Sequence, residues 1–163
     1  MILTCIYGRN ADLIKDVADQ YFKPGDKIAD VTYGKGNFWT KVDLSQYDFY
    51  PSDIKTGIDF RDLPYEDDFF NVLALDPPYV HSAGGFKIAA NYNNSLITGK
   101  HVDVIRLYDD GMREAYRVIT PGGLLLLKCQ DTVEYRQQRW SHIELFNLAE
   151  ALNFYPLDLF VLH

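Results

Sequence analysis

The run Asp76-Pro77-Pro78-Tyr79 holds the residue types in this sequence best suited to chemistry. Consecutive prolines hold the chain extended and remove two N–H donors. The Asp76 carboxylate and the Pro77 carbonyl then form a row of acceptors beside the Tyr79 ring. Such a set suits an exocyclic NH2 group, whose two hydrogens the acceptors take while the ring stacks on the base. Upstream, Asp30-Val31-Thr32-Tyr33-Gly34-Lys35-Gly36 spaces two glycines by one residue, which lets the backbone turn tightly against a ligand. A lone G-x-G also fits an ordinary strand-to-helix turn, and no third glycine completes a dinucleotide fingerprint. Asp30 could orient this loop or meet a cationic ligand. Asp53 follows Gly36 by 17 positions, where an acid can accept from both hydroxyls of a ribose. A solvated loop charge fits Asp53 as well. Asp59 could accept from an adenine amino group and Phe60 could pack on its ring.

These residues need a frame, and the hydrophobic pattern supplies one. Helical spacing of Leu13, Ile14, Val17, Ala18 and Tyr21 predicts a helix over 11–22, capped by Asn10 and stopped by Pro24-Gly25. A strand is expected at 27–32, a short helix at 37–44, and a strand at 47–53 that Pro51 moves to an outer position. The apolar run 71–75 leads straight into Asp76. A helix is expected over 102–119, with Ile105, Tyr108, Met112, Ala115, Tyr116 and Ile119 on one face. Pro121-Gly122-Gly123 then turns into Leu124 to Leu127, which reads as the most strongly buried strand. Ser141 with Glu144 opens a helix to about Leu152, and 157–162 is a last strand. Continuous apolar strands alternating with helices imply an α/β fold with a mostly parallel sheet covered on both faces. Ligands of such sheets bind beyond the carboxyl ends of the strands, where strand order reverses.

Composition narrows the setting. The 163 residues suit one domain, and a net charge of -7 argues against a generic polyanion binder. No apolar run reaches the ~20 residues of a membrane span. The first residues lack the pattern of a secretory leader. Cys5 and Cys129 form no metal-ligand pair, so reduced thiols, no metal and a cytoplasmic location are expected. His81, His101, His142 and His163 show no ligand spacing.

The combination of tetrapeptide and glycine loop resembles the class I S-adenosylmethionine-dependent amino-methyltransferases, over roughly residues 8–162. D-P-P-Y is the catalytic motif of their adenine-N6 type and of some N4-cytosine members. The segments Tyr92-Asn93-Asn94-Ser95 and Lys128-Cys129-Gln130-Asp131 are similar to a phage-type subgroup of small DNA methyltransferases. The resemblance implies a Rossmann-like fold, S-adenosylmethionine as cofactor, and methyl transfer to adenine N6 in DNA by direct in-line attack. It implies that Asp30, Tyr33, Gly34 and Gly36 line the methionine end of the cofactor. Asp53 would hold its ribose, and Asp59 and Phe60 its adenine. Asn10 belongs to the segment that supports the amino-acid moiety. Asp76, Pro77, Pro78 and Tyr79 would be catalytic, with Asp76 also facing the cofactor and Tyr79 replacing the stacking of a flipped base. Val31-Thr32-Tyr33 departs from the Pro-Phe common before the glycine in DNA-acting members. RNA as substrate, a methyltransferase of small amines, and a non-catalytic subunit needing a partner are the alternatives.

The substrate face is read from charge and position. Residues 100–140 carry seven basic and six acidic groups, the one stretch that is not net acidic. Lys128 and Gln130 end the leucine strand on the edge that carries Asp76. Arg136 and Arg139 beside Trp140 could contact a phosphate backbone, or form a solvated loop before a helix. The stretch 82–100 reads as a substrate lid or a surface insertion. No segment is long enough for a target-recognition domain, so the whole of 1–163 is expected to be one catalytic domain. Sequence specificity should be low or borrowed from a partner or a second copy, and action in a phage host's cytoplasm fits the phage-type likeness. The family sheet has seven strands, and 157–162 reads as the sixth. Either the sheet lacks its last strand, another chain fills the edge, or 157–162 re-pairs. Irregular pairing or an interface is expected there.

Overall fold

The computed structural model describes residues 4–78 and 100–163. In chain order the elements are β1 (Cys5–Ile6), α1 (Asn10–Tyr21), β2 (Lys27–Asp30), β3 (Asp48–Pro51), β4 (Phe70–Leu75), α2 (His101–Val118), β5 (Ile119–Leu127), β6 (Thr132–Glu134), β7 (Gln137–Arg139), α3 (Ser141–Ala151) and β8 (Val161–Leu162). The central sheet is parallel, in the order β3-β2-β4-β5.

Strand alternation sorts the core into two layers. Ile28, Val72 and Ala74 pack with Ile14, Val17 and Ala18 of α1 on one face. Ala29, Leu73 and Leu75 pack with Val104, Leu107, Tyr108 and Met112 of α2 on the other, and α3 lies beyond α2. The α/β expectation of a parallel sheet with helices on both faces is therefore met. Tyr108, Met112, Ala115 and Ile119 of the expected α2 face are buried, but the stripe extends to the neighbouring side. Val104, Leu107 and Gly111 are buried, while Ile105 is half-buried and Tyr116 exposed. Gly111 permits a close approach on that side, because the Phe60 ring occupies the space a side chain there would need.

Several boundaries differ from the sequence pattern. Arg9, not Asn10, caps α1, with the Asp12 carboxylate accepting from the Arg9 N–H at 3.0 Å. No helix forms at 37–44, because the Trp39 ring is drawn inward to Asp30. The chain makes turns and then a single 3-10 turn at Leu44–Gln46. Pro121-Gly122-Gly123 is absorbed into β5 as an irregularity opposite Phe70–Val72. Leu124 to Leu127 are half-buried rather than fully buried, because β5 is an outer strand of the four. Residues 132–139 form an antiparallel hairpin that the pattern did not suggest. The strand expected at 157–162 shrinks to β8, which pairs in parallel with β1 outside the central sheet, the irregular pairing anticipated for this segment. Among the described residues no helix is long and apolar enough to cross a membrane.

Candidate active site

The chain runs from β2 outward to β3, then returns to place β4 on the other side of β2. Strand order therefore reverses between β2 and β4, and a crevice opens at their carboxyl ends. A cleft of about 240 Å³ lies there, lined by Asn10, Asp30, Thr32, Tyr33, Lys35, Asn37, Phe38 and Asp76. Residues 30 and 76, far apart in sequence, thus share one cavity wall.

Asp30 is 2% exposed and acts as the anchor of the glycine loop. Its Oδ2 accepts from Trp39 Nε1 at 2.6 Å, and its Oδ1 accepts from the Thr32 N–H at 3.0 Å. Burial pushes its carboxyl up to about 6; the donors from Trp39 and Thr32 oppose this and the charge of Asp76 adds to it. Gly34 and Gly36 take φ of +56° and +69°, a conformation that costs other residues energy. At Gly36 a side chain would also fall on the Tyr33 phenol, which itself packs edge-on against Phe49.

Asp76 leaves β4 with its backbone N–H donating to Thr32 Oγ1 at 2.8 Å. Lys128, at the end of β5, reaches across so that Nζ lies 3.2 and 3.3 Å from the two Asp76 carboxylate oxygens. The same ammonium lies 5.6 Å from the Phe38 ring centroid, close enough for a cation–π attraction. Tyr108 supports this corner from α2 by donating to the Lys128 carbonyl at 2.6 Å. Pro77 is buried and Pro78 half-buried. Tyr79 and residues 82–99 of the lid expected at 82–100 lie outside the described residues, while Lys100 caps α2.

Asp53 stands at the carboxyl end of β3 and ties that strand to the glycine loop. Its Oδ2 accepts from the Gly34 N–H at 3.1 Å and its Oδ1 from the Lys55 N–H at 2.9 Å. Asp59 is clamped by Arg61, with Nη2 at 2.6 Å from Oδ2. Burial raises the Asp59 carboxyl, but the Arg61 side-chain and backbone hydrogen bonds and its charge together outweigh this and hold it below the usual range. The expectation that Phe60 packs on a ligand ring needs correction. Phe60 is 1% exposed, within the core between Gly111 and the strands.

The substrate-side expectations divide. Lys128 sits on Asp76, as its strand position implied. Among the described residues the cleft lining does not include Gln130, Arg136 or Arg139. Gln130 is exposed, and its carbonyl accepts from Ser141 Oγ at 2.8 Å at the start of α3. Arg139 pairs with Glu134 across the β6–β7 hairpin at 2.9 Å, which makes it a brace for that hairpin. Arg136 is exposed at its apex, next to Tyr135, with φ of +66° and +50°. Burial pushes the Cys129 thiol up to about 11, with Asp131 and Asp76 adding and Lys128 opposing, so it packs as a protonated thiol. His142 Nδ1 lies 2.8 and 2.7 Å from the two Asp131 oxygens, and His101 Nε2 lies 2.8 Å from Glu144.

Thr32, Lys35, Asn37, Phe38 and Trp39 were not foreseen as site residues. Their signal lay in position alone, since all five belong to the run directly after β2. Trp39 became a partner of Asp30 only because the loop folds back by nine residues onto the strand end.

No protein-family model and no curated protein matches this chain. Solved structures do. The [4+2]-cyclase SpnF superposes with a TM-score of 0.51 at 18% identity, covering 91% of this chain and 59% of its own. A proposed S-adenosyl-L-methionine-dependent methyltransferase (mmp1179) from Methanococcus maripaludis gives a TM-score of 0.46 at 10% identity over 88% of this chain and 60% of its own. A proposed methyltransferase (BH2331) from Bacillus halodurans gives 0.44 at 16% over 78% and 53%. The chain thus spans less than two thirds of the length of each. What it shares with SpnF is the fold, a Rossmann-like α/β arrangement.

Proposed function

We propose that this chain transfers a methyl group from S-adenosylmethionine to an exocyclic amino group of a nucleobase, with adenine N6 in DNA as the preferred acceptor. The observation that carries this reading is the sharing of one cleft wall by Asp76 of the D-P-P-Y run and the Asp30–Gly36 loop.

The residues present fit the cofactor. Asn10 and Lys35 offer donors to a carboxylate, and Gly34 and Gly36 allow close backbone approach. Asp53 can pass from the Gly34 N–H to ribose hydroxyls. When bound, the cofactor supplies an electrophilic methyl group on a sulfonium. The chain's own task is to hold the amine. An adenine amino group is a poor nucleophile because its lone pair is delocalised into the ring. Asp76 and the Pro77 carbonyl accept its two hydrogens and favour a pyramidal nitrogen with a localised lone pair. Alignment and electrostatics do the rest, without a covalent intermediate. Lys128, with Nζ against both Asp76 oxygens, aims the carboxylate. We assign Tyr79 to base stacking, and Arg136 at the hairpin apex to the nucleic-acid backbone.

The test is incubation with cofactor labelled in its methyl group and, separately, single-stranded DNA, duplex DNA and RNA, followed by nucleoside analysis. N6-methyladenine from DNA supports the reading. Label in RNA alone, or in N4-methylcytosine alone, reassigns the acceptor. Cofactor binding without any product would move the chain to the role of a partner-dependent subunit.

A further inference from the structure

Thr32 occupies the place where a strand pair ends and the reactive tetrapeptide begins. The β2–β4 ladder makes its last backbone bond from the Val31 N–H to the Ala74 carbonyl, at 3.2 Å. Two residues on, the Asp76 N–H points to the same side of β4. There it meets the Thr32 hydroxyl oxygen at 2.8 Å. The hydroxyl in turn lies 3.4 Å from Asp30 Oδ1, which directs its proton to Asp30 and its lone pair to Asp76. The next two residues are prolines and carry no N–H. The Asp76 amide is therefore the last backbone donor that can fix the strand end before Asp76 and the Pro77 carbonyl must present their acceptors.

We propose that Thr32 is a positioning residue, a side-chain rung that extends the β2–β4 ladder by one step and pins the backbone of Asp76-Pro77. The inference deepens the methyl-transfer reading and rests on it for its catalytic consequence. The pin itself is a structural claim. It links the loop that would hold the cofactor to the acceptors that would hold the amine, through one hydroxyl.

The experiment compares Thr32→Val, which keeps the shape and removes the hydroxyl, with Thr32→Ser, which keeps the hydroxyl. Amide hydrogen exchange at Asp76 reads the pin directly, whether or not methyl transfer occurs. Thr32→Val should speed that exchange by about tenfold, the effect of losing one hydrogen bond. It should lower kcat by about 10- to 100-fold through misplacement of the acceptors, while cofactor Kd measured by calorimetry stays within about threefold. Thr32→Ser should restore exchange and kcat together. Unchanged Asp76 exchange in Thr32→Val overturns the proposal. So does a fall in cofactor affinity that accounts for the whole loss of kcat, since that places the role in the loop. If the wild-type protein methylates nothing yet Asp76 exchange responds as stated, the methyl-transfer reading fails and the pin stands.

Discussion

Replacing Asp30 by Asn should remove a specific pH dependence of stability. The Asp30 carboxyl is raised from 3.8 to about 6 because burial penalises its charge. This is the reverse of the usual carboxylate case. Between the two values the folded state holds a proton that the unfolded state has released, so stability falls as pH rises. The loss begins near pH 4 and is complete above about pH 6.5. At ~1.4 kcal/mol per pH unit, the displacement corresponds to about 3 kcal/mol. Asn cannot ionise and has no such term. It also has a single acceptor oxygen where Asp30 accepts from Trp39 Nε1 and from the Thr32 N–H at two oxygens. One buried donor is then left facing an NH2 group, at a pH-independent cost of about 1–3 kcal/mol. The assay is urea unfolding of both proteins at half-unit steps from pH 4 to pH 8, with the stability of wild type minus that of Asp30→Asn plotted against pH. Carboxylates that do not interact with Asp30 cancel in the difference, whereas Asp76, whose charge acts on Asp30, adds its own change to the slope. The difference should fall by about 3 kcal/mol from pH 4 to pH 7 and then level. A flat difference would refute the claim that Asp30 is folded away from water as a strained anion, and with it the account of the loop's anchor.

Three further outcomes are expected. Asp76→Ala should abolish methyl transfer in the labelled-cofactor assay while cofactor affinity by calorimetry changes little, because the lost group holds the amine; wild-type turnover would contradict this. Gly36→Ala should lower both melting temperature and cofactor affinity, since its φ of +69° and the Tyr33 phenol leave no place for a methyl group; the strained backbone alone costs about 1–2 kcal/mol. Gly111→Ala should destabilise by about 1–3 kcal/mol through overpacking, despite the ~1 kcal/mol gain in helix propensity. Its Cβ would lie 2.8 Å from Phe60 Cδ2 and 3.1 Å from Leu75 Cδ2, and a denaturant titration reads the net sign.

Much of this protein was legible in its residues alone. The apolar run 72–75, and Ile28 and Ala29 leading into Asp30, suit strands of a sheet covered on both faces, and that is where β4 and β2 lie. Pro51 implied an outer strand, and β3 is outermost because a residue without an N–H cannot pair on both sides. The order of Asp30, the glycines and Asp76 placed each at a strand's carboxyl end, because local pattern marks where strands stop.

Tertiary structure decided what local pattern has no means to encode. Phe60 has the type expected of a ring-stacking residue, but Gly111, more than fifty positions away, offers it a core site instead. Leu124 to Leu127 read as fully buried, yet burial depends on neighbours, and among the described residues β5 pairs with β4 alone in the central sheet. Thr32 and Trp39 had no role legible in the sequence, and Lys128 was read only as a substrate-side residue at a strand end. Parallel pairing of β2, β4 and β5 brought Asp76 to Thr32 and Lys128, and the fold-back of the loop after β2 brought Asp30 to Trp39. Sequence determined which residue types stand at the strand ends. Register and strand order determined which of them touch, because hydrogen bonds and ion pairs act over a few ångströms while the chain separates these partners by up to 52 positions.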